Sequence, residues 1–222
     1  MFDFDLSPLR LSLQVGALAT AICLVLGVAL AWLLARRQFW GRGVLSALVT
    51  LPLVLPPTVL GYYLLQVLGR RSLAGEFLED TFGLRLAFAW EGAVIASTIV
   101  ALPLMVRSAQ AAFEAVDPSL ENTARTLGRT NLAVFFTVTL PLAWPGVVAG
   151  TALAFARAVG EFGATIMFAG NIPGQTRTMP VAIYDAWQSG DAALANTLVA
   201  ILTVTSLLSL LVIGRLLRVS RW

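Results

Sequence analysis

Three stretches of this chain, Leu11–Leu34, Val44–Leu68 and Ala192–Gly214, contain no charged residue. A bilayer core about 30 Å thick is crossed by about 20 residues of helix, so each stretch suffices for one crossing. Two further runs are apolar enough but interrupted. Leu86–Val106 carries Glu91 near its start, and Pro141–Ala169 contains Arg157 and Glu161. The pattern predicts an all-α polytopic membrane protein with five spans, near 11–34, 44–68, 86–106, 146–169 and 192–214. The loop 107–145 is expected to face the cytoplasm, and residues 1–222 to form a single membrane domain.

Composition agrees. Hydrophobic residues make up 58% and charged residues only 12%, where a soluble domain would carry about 25% charged residues. Too little polar surface exists to cover a globule in water, so membrane lipid is the expected solvent. All 15 cationic side chains are arginine, and there is no His. With one Cys, Cys23 inside an apolar run, no ordinary zinc or haem site can be assembled and no disulfide can close within the chain. No metal and no cofactor is expected. The net charge of +3 is modest and gives no reason to invoke nucleic acid.

Arginine next to the spans sets the expected orientation. One set of alternate segments holds nine: Arg36, Arg37, Arg42, Arg107, Arg125, Arg129, Arg215, Arg218 and Arg221. The other holds five, Arg10, Arg70, Arg71, Arg85 and Arg177, mostly among acids such as Asp3, Asp5, Glu76, Glu79, Asp80, Asp185 and Asp191. The first set is therefore read as cytoplasmic, with the N-terminus outside and the C-terminus inside. Trp32, Trp40, Trp90, Trp144 and Trp222 lie near span ends, where an amphipathic ring prefers the interface. The N-terminus, with Asp3 and Asp5 before a long apolar run, does not read as a secretory signal peptide.

No phosphate-cradling GxxxxGK[ST] loop and no hydrolytic triad occurs, so no catalytic residue is assigned. Energy for any driven work would come from another chain or from an ion gradient. The informative stretch is Glu114–Gly128. Asp117 suits an N-cap, Pro118 the first helical position, and Gly128 a left-handed stop. The helix between them, 118–127, is marginal by itself in water. Leu120, Thr123, Ala124 and Leu127 form one stripe, with Glu121 and Arg125 on another face. Such a helix either rests on its own membrane domain or docks on a partner, and periodicity does not choose between them.

Asn122-Thr123-Ala124, Gly128, Val138 and Leu140-Pro141 resemble the cytoplasmic loop signature of ABC importer permeases: E-A-A, three residues, Gly, nine residues, Ile, one residue, Leu-Pro. The spacing is complete. Asn122 stands where Glu is usual, Thr123 replaces Ala and Val138 replaces Ile, while Glu121 lies next door. Leu51–Tyr62, Phe155–Thr165 and Gly170–Thr178 are similar to bacterial molybdate permease subunits, with the longer sulfate permeases the alternative. The resemblance implies the type I ABC importer permease fold, a homodimer, two cytoplasmic ATP-binding subunits and an extracytoplasmic oxyanion-binding protein. It implies that Leu120, Glu121, Asn122, Thr123, Ala124, Leu127 and Gly128 couple the chain to the ATPase.

Two features can be weighed without the family. Arg157 and Glu161 lie four apart on one face, deep in an apolar run, and must face protein or a watery path. They are either a structural ion pair or a source of positive potential for a dianion. As a structural pair, Arg157→Ala should be worse than the double alanine change. Pro52, Pro56 and Pro57 each remove a backbone donor from the second span, which is therefore kinked or broken. Pro56 and Pro57 then either line the path or mark an ordinary kink. Gly146, Gly150 and Ala154 offer a small-residue face, within the subunit or across a dimer. A secondary transporter would want a further intramembrane carboxylate or His, and a scaffold would leave the capped helix unexplained.

Overall fold

A computed structural model describes residues 5–219, and among them there is no strand. Asp3, Arg221, Trp222 and the side chain of Arg218 lie outside the described residues. Three long helices form the centre: α1 (Ser7–Arg36), α5 (Trp90–Glu114) and α8 (Leu140–Val159). Between α1 and α5 come α2 (Arg42–Val54), α3 (Pro57–Leu68) and α4 (Leu73–Phe82). Between α5 and α8 come α6 (Pro118–Thr126), α7 (Asn131–Val134) and a π-helical turn (Phe135–Thr139) that joins α7 to α8. The chain closes with α9 (Gly163–Phe168), α10 (Met179–Gln188) and α11 (Ala192–Val219).

Small residues decide how the centre packs, because in lipid close backbone approach replaces the hydrophobic drive of water. A Cβ at Gly16 would lie 2.5 Å from Val159 Cγ2, and one at Gly27 would lie 2.6 Å from Met105 Cγ. A Cβ at Gly146 would collide with that of Ala112, and Ser108 Oγ donates to the Gly146 carbonyl at 2.8 Å. The small face of Gly146 and Gly150 thus packs inside the subunit, against α5, and Ala154 is fully buried. These contacts run α1 and α5 parallel, with α8 antiparallel to both.

The second expected span, 44–68, is two helices whose axes differ by 116°. Pro52 stays inside α2, while Leu55 and Pro56 are extended at ψ 138° and 135°. Pro57 then opens α3 at its first position, where no donor is needed. Among the described residues four helices are long and apolar enough to cross a membrane singly, and the bent pair makes five.

Two helices depart most from the expected spans. The third helix continues past Val106 to Glu114. The fourth begins at Asn131 and ends at Val159, so residues 160–169 form a separate break and short helix. Residues 107–114 and 131–145, read as loop, are therefore helical. At 107–114 the helix continues past Arg107, the charge that ends the apolar window, whereas 131–145 carries no charge at all. The π turn has a local cause. Pro141 has no N–H for the Thr137 carbonyl, and the Leu140 N–H bonds Phe135 O, five residues back.

Candidate functional site: two broken helices and a latched short helix

The first site is where the break in the second span meets the break after α8. Pro56 and Pro57 lack the N–H groups that would reach the Pro52 and Leu53 carbonyls, leaving both acceptors without helical donors. Such carbonyls are tolerated at membrane depth only against protein or a watery cavity. Pro57 Cβ lies 3.0 Å from where a Cβ on Gly163 would stand, and Gly61 packs just as tightly on Ala164 and Met167. Glycine at these two places lets α3 and α9 touch.

Glu161 organises the second break. Its Oε2 lies 2.7 Å from Arg157 Nη1, and its Oε1 accepts the Ala164 N–H at 2.7 Å. The carboxylate therefore holds an ion pair and caps the first turn of α9 at once. Glu161 is 2% exposed, whereas the Arg157 side chain keeps 31% of its surface. The cap was invisible in a stretch read as one continuous span. Its signal is the pair of glycines, Gly160 and Gly163, flanking an acid three residues before Ala164.

Arg107 is a further polar contact of the broken span, though its position in the sequence marks it only as a charge beyond a span. It sits inside α5 and donates from Nη2 to Ser46 Oγ at 3.1 Å and to Thr50 Oγ1, so it joins α5 to α2.

The second site is α6. The Asp117 carboxylate caps it by accepting the Ser119 N–H at 2.8 Å, and that bond holds the carboxyl below its usual range. Gly128 follows at φ +81°, the left-handed conformation its type suggests. Leu120 and Leu127 are exposed, as are Asn122 and Thr123, and Ala124 is half-buried.

Glu121, on another face from the Leu120 stripe, is different. It is 4% exposed and turned into its own chain. Oε1 takes Arg36 Nη2 at 3.0 Å and the Thr139 hydroxyl at 2.8 Å, while Oε2 takes Arg125 Nη2 at 3.3 Å. Arg36 also donates to the Val116 carbonyl at 2.9 Å. One carboxylate thereby ties α6 to the end of α1 and to the π turn. Rigid attachment of a short helix to two membrane helices suits the transfer of force.

Residues 24–220 match the family described as binding-protein-dependent transport system inner membrane component. The molybdenum transport system permease protein ModB of Escherichia coli is 50% identical over 220 residues, covering 99% of this chain and 96% of that protein. The sulfate transport system permease protein CysT of Salmonella typhimurium is 37% identical over 192 residues, covering 86% and 69%. Among solved structures, a bacterial alginate ABC transporter, in complex with a periplasmic protein carrying an alginate pentasaccharide, matches in fold. Its TM-score is 0.79 at 16% identity, covering 99% of this chain and 81% of that one.

Proposed function

This chain belongs to the binding-protein-dependent transport system inner membrane component family, and from that membership we propose that it is the permease subunit of an ATP-driven molybdate importer. It is a multi-pass inner-membrane protein. The observation carrying the substrate is 50% identity to a molybdenum permease along nearly the full length of both chains. Tungstate, of near-identical size and charge, is a second substrate. Sulfate is less favoured, since the sulfate permease is more distant.

In this reading residues 1–222 are one transport domain that works as a homodimer. Two cytoplasmic ATP-binding subunits supply the energy, and an extracytoplasmic binding protein delivers the oxyanion. The α6 stripe of Leu120, Ala124 and Leu127 meets the ATPase, joined at its edge by Asn122 and Thr123. Glu121 acts from behind as the strut that holds α6. Pro56, Pro57, Arg157 and Glu161 stand at the translocation path, with Arg107 on its cytoplasmic side.

The test is reconstitution with the ATP-binding subunits, followed by molybdate uptake and molybdate-stimulated ATP hydrolysis. Gly128→Val and Ala124→Glu should each insert normally and lose at least about nine-tenths of uptake. At Gly128 a Cβ meets nothing within 4 Å, so the penalty lies wholly in the positive φ. That costs a residue with a β-carbon roughly 1 kcal/mol or more. At Ala124 a charge would enter the middle of the contact. Full uptake by both variants would remove the coupling role of α6.

Orientation has its own test. Glu76→Cys, on exposed α4, should react with an impermeant thiol reagent in spheroplasts, and Arg129→Cys should not. The reverse pattern would place the arginine-rich end outside.

A further inference from the structure

We propose that the face where α1 meets α7 and α8 binds an anionic phospholipid of the inner leaflet, its phosphate in an arginine pocket beside α6 and one acyl chain in the adjoining apolar groove. The leaflet assignment rests on the cytoplasmic placement of α6 given above.

The pocket is a cavity of about 390 Å³ whose lining includes Trp32, Arg36, Arg37, Glu121, Arg125 and Thr139. Three guanidinium groups there face one carboxylate, so the pocket is under-neutralised. Arg36 and Arg125 share Glu121, but among the described residues Arg37 pairs with no acid. Its guanidinium carbon stands 5.8 Å from the centroid of the Trp32 ring. Arg36 Nε is buried with no hydrogen-bond partner. Guanidinium groups present flat forks of N–H donors that match phosphate oxygens, so a phosphate is the anion this pocket fits.

The groove begins where the pocket stops. It is a second cavity, of about 590 Å³, and the two share Trp32, Asn131 and Phe135. Its walls include Leu24, Val25 and Val28 of α1 and Leu132, Phe136 and Leu140 across from them. Val25 and Leu132 are about 70% exposed, so the chain itself leaves this surface uncovered. From Trp32 back to Leu24 is eight residues of α1, on the order of 12 Å of rise. That is most of the depth of one leaflet, about 15 Å.

A cationic pocket opening into an apolar groove of leaflet depth, with a tryptophan at the joint, calls for one molecule bearing both chemistries. An apolar helix of a second copy would cover the groove and leave the arginines unanswered. A zwitterionic lipid would bring an ammonium toward three guanidiniums. A net-negative headgroup such as phosphatidylglycerol answers both. Bound there, it would bridge the end of α1 and α6 beside the Glu121 strut.

The experiment uses the permease with its ATP-binding subunits, stripped of lipid in detergent and then offered phosphatidylglycerol, phosphatidylethanolamine or inorganic phosphate. Native mass spectrometry should find phosphatidylglycerol retained several-fold over phosphatidylethanolamine, with a raised melting temperature that inorganic phosphate does not reproduce. Arg37→Gln should erase the preference between the two lipids, and Val28→Trp, which fills the groove, should lower retention of both. Equal retention of the two lipids by the wild type would overturn the proposal, as would unchanged retention in both variants. Equal stabilisation by phosphate would assign the pocket to a free anion, and efficient Val25→Cys cross-linking between copies would assign the groove to a protein interface. Loss of the ATP-binding subunits from the wild type would count instead against the importer reading, because co-purification is read separately from lipid retention.

Discussion

Glu121→Ala should reduce molybdate uptake more than tenfold while the permease still reaches the membrane. The carboxylate is buried and answers two guanidiniums and one hydroxyl. Its removal leaves Arg36, whose side chain is only 14% exposed, with the Val116 carbonyl as its remaining partner. Stripping one partner from a buried pair typically costs about 3–5 kcal/mol, enough to free a helix of nine residues from its seat. The long helices α1, α5 and α8 pack elsewhere through Gly16, Gly27, Gly146 and Gly150, so insertion should survive. Glu121→Gln keeps the acceptor for Thr139 and loses the charge, and should fall between the two. Uptake, membrane-fraction yield and co-purification of the ATP-binding subunits read these apart. Normal uptake by Glu121→Ala would mean that α6 needs no strut.

At the other site, Arg157→Ala should be the worst of the three changes, and the double change should do no better than Glu161→Ala alone. An i, i+4 ion pair considered by itself makes both single changes worse than the double. The geometry separates the two singles, because Arg157→Ala strands a carboxylate that is 2% exposed, whereas Glu161 has a second duty at the Ala164 N–H. Losing that cap costs about 1 kcal/mol in Glu161→Ala and in the double change alike. The Arg157 guanidinium is partly exposed and can find water, so the double change regains little. Glu161→Gln separates the duties: its amide oxygen can still cap α9 but cannot neutralise Arg157. Transport assays with thermal unfolding of the purified variants decide the order. A double variant clearly more active than Glu161→Ala would reduce Glu161 to a simple counter-ion.

The membrane class, the set of apolar spans and the capped helix were legible in the sequence because each rests on local chemistry. Transfer of an apolar run into lipid depends on its own side chains. Asp117 caps through a bond to Ser119 two residues away, and Gly128 stops the helix through its own φ. Tandem prolines likewise announced a broken span, since a missing N–H needs no partner to be missing. Helix ends were less legible: charge marks where lipid stops being favourable, and α5 continues beyond it on helical hydrogen bonds and on the packing of Ala109 and Phe113, both fully buried.

What only the tertiary structure decided is which way polar side chains turn and whom they meet. Periodicity separated Glu121 from the Leu120 stripe but could not say which face looked inward, because that depends on Arg36 and Thr139, distant in sequence. It placed Arg157 beside Glu161 but not the break that gives Glu161 its second partner. It left open whether Gly146 and Gly150 pack within the subunit, which Ala112, Ser108 and Met105 of α5 settle by sitting against them. A local pattern fixes what a segment can satisfy within itself, and a buried charge or a bare glycine is satisfied only by what folding brings to it.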